Sequence, residues 1–292
     1  MTFDEYQSEA ARTDKEAAGE KDGMVVPLLG LAGEAGSLLT LYKKWLRDGD
    51  AYQIAGERLS EELGDILWYL STVARRGGIS LSDVAERNLQ KTRDRWLPQA
   101  TRPKLFDEGF PVGEQLPREF VAVVRDFDEA DKKRTELFIN GIQVGNHLTD
   151  NAYTDDGYRF HDVFHLSYSA LLGWSPVLRA NLRLKRKSDS EIDEVEDGGR
   201  AIAIEEGISA LIFTYAQEHT FLQGLSVVDW SVLRTCQEMA AHLEVSMRTL
   251  YEWEQAILGG YEVWRLVKKN GGGTIKCNLA NREFTYIGQS DN

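Results

Sequence analysis

Over residues 25–46, Leu28, Leu31, Ala35, Leu38, Tyr42 and Trp45 recur at alternating steps of three and four, one apolar stripe that predicts a helix with a single core-facing side. Leu59, Leu63, Ile66, Leu67, Leu70 and Val73 repeat the pattern over 57–75, and Gly77-Gly78 ends that helix. A shorter helix comes first. It opens with Thr2 and Glu5 in capping-box spacing, carries Tyr6 and Ala10 on one face, and is followed by Gly19 and Gly23 as punctuation. A fourth starts at Ser80, with Asp83 as its box partner, and runs to Trp96. Short connections between four such helices predict antiparallel packing around a shared core over residues 1–96.

Neither period survives over 97–118, where Pro98, Pro103, Pro111 and Pro117 read as a linker. Beyond it, 120–127 has strand alternation, and Asn140-Gly141 sits between two β-like runs, a strong short hairpin signal. Helical periodicity returns over 160–174, 201–216, 230–243 and 247–268. The closing GGGTIKCNLANREFTYIG predicts a hairpin about Ala280-Asn281 that joins the earlier strands. The fold class is therefore mainly α: a four-helix bundle, then a second mostly helical domain over 119–292 with a small antiparallel β element. A chain of 292 residues accommodates two such cores.

Composition narrows the chemistry. With 47 acidic residues and a formal charge of −13, the chain lacks the basic surface that sequence-independent grip on nucleic acid requires. An anionic substrate must meet a metal ion or a local basic patch. Cys236 and Cys277 are far apart and offer neither a disulfide framework nor a thiolate zinc site, which fits a reducing cytoplasm. The charged N-terminus has no apolar signal core, and no later apolar run reads as membrane-spanning, so a soluble protein without membrane contact is expected.

Glu34 interrupts the apolar segment GLAGEAGSLL with no cation three or four residues away. In EELGD, Glu62 and Asp65 share a helix face, and Glu61 lies four residues before Asp65. Crowded like charges are unfavourable alone, and a solvated acidic face partly neutralised by Arg58 is the plain alternative. A hard divalent cation reverses the sign, because it prefers oxygen ligands and bridges carboxylates to phosphates.

The segments GLAGEAG, EELGDILWYL and NLQKTRDRW, in that order, resemble the pattern of MazG-like nucleoside triphosphate pyrophosphohydrolases over residues 1–96. That resemblance implies an all-α enzyme that cleaves nucleoside triphosphates between the α- and β-phosphates with magnesium, manganese being a possible substitute. It implies Glu34, Glu62 and Asp65 as metal ligands, and Asn88, Lys91 and Arg95 along one side of the fourth helix as groups facing the phosphates; an ordinary polar helix surface is the alternative for these, and for Lys44, a further candidate for the phosphates. Water activated by the metal would attack phosphorus and release a nucleoside monophosphate and pyrophosphate, with Glu61 or Glu34 orienting it. Ser37 stands where the family carries a second glutamate and brings no charge to a cation, a deficit that Glu61 could offset.

In the second half, IEEGISALIFTYA echoes EELGDILWYL, with Glu205 and Glu206 answering Glu61 and Glu62 and Ser209 answering Asp65. A diverged second copy packing as a pseudo-dimer is one reading, and a homo-oligomer, most simply a dimer, is expected. His161, Asp162, His165, Glu205 and Glu206 would then form a second polar cluster; buried, hydrogen-bonded core residues are the alternative. HDVFH also has the zincin spacing with aspartate for glutamate, two histidines on one helix face that could bind zinc. AAHLEVSMRTLYEW resembles a helix-turn-helix, although few cations flank it and helix packing is the expected role. Arg183, Lys185, Arg186 and Lys187 make one dense basic loop, either a phosphate receptor or a solvated surface. A non-catalytic nucleotide-binding or assembly protein is the competing class, motivated by Ser37 and Ser209.

Overall fold

The computed structural model describes residues 1–15, 23–53, 56–99, 101–129 and 132–289; Gly19 lies outside them. The chain divides into a smaller unit, Met1–Arg93, and a larger one, Asp94–Asn292, and its described residues are mainly helical with one five-stranded antiparallel sheet.

The smaller unit holds α1 (Phe3–Ala11), α2 (Val25–Asp48), α3 (Gly56–Arg76) and all but the last turn of α4 (Leu81–Trp96). The Thr2–Glu5 box is formed: the Glu5 amide donates to Thr2 Oγ1 at 3.1 Å, and Glu5 accepts from the Thr2 amide at 2.7 Å. Ser80 Oγ accepts from the Asp83 amide at 3.2 Å and donates to Asp4 at 2.9 Å. Gln7 donates to the Ile79 carbonyl at 2.9 Å and accepts from the Leu81 amide at 3.0 Å, so α1 clamps the α3–α4 turn. Between α2 and α3 the approach is close at Gly30, where a Cβ would collide with the ring of Tyr69.

Much of the apolar stripe on α2 is not covered. Leu28, Tyr42 and Trp45 are exposed, as are Leu29, Leu39 and Leu46 beside them. The expectation that no segment could span a membrane is also corrected: Val25–Ala51 is 27 residues with a stretch of mean hydropathy 1.4, long and apolar enough by length and composition. Interspersed Gly, Ala and Ser look like breaks in an apolar run, yet Glu34 is the only charge between Val25 and Tyr42.

The larger unit contains β1 (Glu119–Glu129), β2 (Lys132–Ile139), β3 (Ile142–Leu148), α5 (Asp162–Ser167), α6 (Pro176–Leu182), α7 (Ser190–Val195), α8 (Gly199–Glu218), α9 (Trp230–Met239), α10 (Leu250–Asn270), β4 (Gly272–Asn278) and β5 (Glu283–Gly288). The sheet order is β3-β2-β1-β4-β5, and the terminal hairpin joins the earlier strands through β1–β4, with Ala122 opposite both Ile139 and Ile275. Asn140 and Gly141 turn the β2–β3 hairpin with φ of 49° and 82°, the left-handed pair of a tight hairpin. Phe120, Ala122 and Val124 alternate into the core beside α10, which buries Trp253, Ile257, Tyr261, Trp264 and Val267. The helix-turn-helix-like segment thus ends in the central helix of a core. The helix expected over 160–174 is shorter: α5 passes into a π turn at Tyr168–Leu172, and Gly173 stops it at φ 72°.

Residues 101–118 pack into this unit. Leu116 and Asp107 are buried, and Asp107 accepts from the Leu116 amide at 2.7 Å, Arg118 at 2.6 Å and Arg179 at 2.7 Å. The basic loop loses its central member to the interior in the same way. Arg186 is 1% exposed and hydrogen-bonds Asp197 and Glu244 at 2.7 and 2.8 Å.

Candidate active site on the smaller unit and a polar cluster on the larger

The Gly30–Tyr69 approach fixes how α2 and α3 run past each other. A short connection makes the two packed helices antiparallel neighbours, so one turn up α2 from Gly30 corresponds to one turn down α3 from Tyr69. Those positions are Glu34 and Asp65. The next step of three pairs Ser37 with Glu62. Glu34 and Glu62 are half-buried, while Glu61 and Asp65 are exposed. Among the described residues none of these four carboxylates has an ion-pair partner. They do not gather three donors within mutual reach of one ion. Magnesium does not demand that, since it usually takes one or two carboxylates and completes its shell with water and substrate phosphate. Unpaired oxygen donors on adjoining turns fit such an ion.

Tyr6 on α1, unremarked in the sequence except as an apolar-face residue, lies beside this group. Its hydroxyl is pushed above the ordinary tyrosine value, first by partial burial and then by the charge of Asp65. Lys44 is half-buried on α2, and Asn88 and Lys91 are exposed on α4. Arg95 has a different setting: it is buried in the larger unit, where it donates to Glu254 at 2.8 Å and to the Val228 carbonyl at 2.9 Å.

In the larger unit His161 caps α5 and His165 follows one turn later, with Glu205 and Glu206 on α8. His165 Nδ1 lies 2.8 Å from Glu205, which is fully buried and also accepts from Ser175 Oγ at 2.7 Å and the Val177 amide at 2.8 Å. Ser175 caps α6, so the start of that helix holds Glu205 in place. His161 Nδ1 lies 2.9 Å from the Tyr158 carbonyl, and the two rings stack at 4.6 Å. Burial alone would lower the His165 pKa, but the charge and hydrogen bond of Glu205, and then Glu206, hold it up at about 10. Glu206 is held low chiefly by His165, whereas burial raises Asp162 against the pull of both histidines. Ser175 and Tyr158 were missed in the sequence; only the Ser-Pro signature of a helix start marked the first.

The echo between Glu205-Glu206 and Glu61-Glu62 stays local, since Glu205 is wholly buried and Glu61 is exposed. The sequence profile of the MazG nucleotide pyrophosphohydrolase domain matches residues 29–97, and that of the MazG C-terminal domain matches residues 101–290. The chain is also similar to the Gene 37 protein of Mycobacterium phage L5, 39% identical over an alignment of 101 residues that covers 32% of this chain and 89% of that protein. No solved structure matches it. The chain belongs to the MazG family, with its helical unit built on the pyrophosphohydrolase domain and its larger unit on the family's C-terminal domain.

Proposed function

We propose that the protein hydrolyses nucleoside triphosphates, ribo- or deoxyribo-, to the monophosphate and pyrophosphate in a magnesium-dependent reaction, with manganese able to substitute. What supports this reading is the Gly30–Tyr69 approach, whose register would bring Glu34 to the turns of Asp65 and Glu62, three carboxylates without an ion-pair partner among the described residues. Bound magnesium would neutralise phosphate charge and lower the pKa of its water. Glu34, Glu62 and Asp65 would hold the ion, and Glu61 or Glu34 would orient the attacking water toward the α-phosphorus. A new phosphorus–oxygen bond forms there as the bond to the β-phosphate bridge breaks, and pyrophosphate leaves. Of the groups expected at the phosphates, Lys44, Asn88 and Lys91 lie on this unit and would contact them. Arg95 is accounted for by Glu254.

The exposed apolar side chains of α2 support a homodimer as the working form, because a patch of that kind is normally covered. The test is incubation of purified protein with a panel of nucleoside triphosphates and magnesium, following monophosphate and pyrophosphate. Turnover abolished by Glu62→Ala is expected; no turnover, or turnover indifferent to that change, overturns the enzyme reading. Ser37, uncharged opposite Glu62, favours one alternative, a non-catalytic nucleotide-binding or assembly protein, which would bind the same nucleotides and release nothing.

A further inference from the structure

We propose that His161, His165 and Glu206 bind one divalent transition-metal ion of the zinc class, a site different in donor chemistry from the carboxylates of α2 and α3. The donor atoms of these three residues all lie within 4.8 Å of one another. His165 Nε2 is 3.5 Å from one Glu206 oxygen, and His161 Nε2 is 3.9 Å from the other. A tetrahedral ion with nitrogen and oxygen bonds of about 2.1 Å places its ligands about 3.4 Å apart, so small side-chain adjustments close the group around it.

The tautomers are prepared for this. Each histidine commits Nδ1 to an acceptor, His161 to the Tyr158 carbonyl and His165 to Glu205, so both Nε2 atoms face Glu206, and His165 ligates once an incoming ion displaces its Nε2 proton to solvent. His165 is 2% exposed, and the partner of its Nε2 is a Glu206 oxygen at 3.5 Å, a long contact for a hydrogen bond. A buried ring nitrogen held only by a long contact is poorly satisfied, and here it faces a cluster of ligand-type groups. Behind it, Glu205 orients the imidazole while Ser175 and the Val177 amide orient Glu205, the carboxylate–histidine support typical of metal-bound imidazole. Two imidazoles and one carboxylate suit zinc, cobalt or a neighbouring first-row ion, whereas magnesium and calcium prefer oxygen alone. Glu206 keeps 41% of its side chain exposed, so solvent reaches the cluster and water can take the fourth position.

The competing account is an imidazolium at His165 clasped by the two glutamates with no metal at all. The experiment uses the full chain stripped of metal by chelation and titrated with Co²⁺, a coloured stand-in for Zn²⁺. One equivalent per chain should give the visible ligand-field bands of a four-coordinate nitrogen–oxygen site, displaced by Zn²⁺ and untouched by excess Mg²⁺. His161→Gln and Glu206→Gln should each weaken binding at least about tenfold, the scale on which even outer-shell changes act. A Glu34→Gln, Glu62→Gln, Asp65→Asn variant should keep the bands, which separates this site from the proposed catalytic one. Glu206→Gln alters a partly exposed side chain, so it decides the matter even where His161→Gln does not fold. No stoichiometric bands, bands unchanged in Glu206→Gln, or bands lost in the triple variant would overturn the proposal.

Discussion

Replacing Arg95 by methionine distinguishes a structural arginine from a phosphate-binding one. Arg95 and Glu254 each keep 5% of the side chain exposed, their ion pair is 2.8 Å long, and Glu254 also accepts from the Val228 amide at 2.7 Å. Without Arg95, Glu254 retains that amide but sits as a buried charge with no cation, and breaking such a pair costs roughly 3–5 kcal/mol. Adding Glu254→Gln removes the charge and preserves an acceptor for Val228. The remaining loss is the hydrogen bond from Arg95 to the Val228 carbonyl, about 1 kcal/mol, plus some packing of the stem. The double variant should therefore be more stable than Arg95→Met alone by roughly 2–3 kcal/mol, and adding Glu254→Gln alone completes the double-mutant cycle that gives the coupling. Because two units need not unfold together, the readout is hydrogen exchange of the amides of α10, which reports the larger unit by itself. Nucleotide turnover of the double variant is measured alongside and should match wild type. A cost below about 1 kcal/mol for Arg95→Met would refute the buried-pair reasoning, since exposed pairs are worth that little. A stable double variant that loses most of its turnover would return Arg95 to the phosphates.

Asp107 is held below the ordinary carboxyl range: burial would raise it, but the Arg179 charge and the hydrogen bonds from the Leu116 amide, Arg118 and Arg179 outweigh that. A depressed folded pKa contributes stability that is complete above the unfolded value of about 3.9 and fades as pH falls through the folded one. The stability gap between wild type and Asp107→Asn in urea melts, roughly 3–5 kcal/mol at pH 7, should therefore shrink below about pH 4; a gap that widens there contradicts the sign. For the exposed side of α2, light scattering should give twice the 33.0 kDa chain mass, and Leu39→Glu with Leu46→Glu should give one. A wild-type monomer, or a chain that sediments with lipid vesicles, would assign those side chains another partner. Ser37→Glu restores a carboxylate opposite Glu62 and should lower the magnesium concentration for half-maximal turnover several-fold. An unchanged requirement would place Ser37 away from the ion.

The helical period was legible because each helix carries one apolar stripe, and the strands because Asn140-Gly141 and the flanking alternation are local features. What covers a stripe is not local. Leu28, Tyr42 and Trp45 occupy the α2 stripe yet stay exposed, and the same spacing would arise for a core, a second copy or a membrane. Charge runs mislead for a related reason. Arg186 stands among cations in sequence, but its partners Asp197 and Glu244 lie 11 and 58 residues away, so one member of a patch read from neighbours is spent on buried ion pairs. The proline-rich stretch looked like a linker because prolines erase periodicity, while Asp107 fixes it through Arg118 and Arg179.

The two clusters show where sequence spacing is sufficient and where it stops. Histidines four apart on one helix face are a fact of the α-helical period, so the pairing of His161 with His165 needed no structure. The choice between Glu205 and Glu206 could not be made that way, since adjacent residues on α8 point in different directions by about 100°. Only the fold shows that Glu205 turns inward to Ser175, Val177 and the back of His165, while Glu206 faces the open nitrogens of both imidazoles. The same step sets Glu61 apart from Glu62 on α3, where one is exposed and the other half-buried. Under the two proposals, one glutamate of each pair would ligate an ion while the other would act from beside it, Glu205 on the back of His165 and Glu61 on the attacking water. For that reason single substitutions at Glu205 and Glu206, or at Glu61 and Glu62, should have unequal effects although the residues are chemically identical.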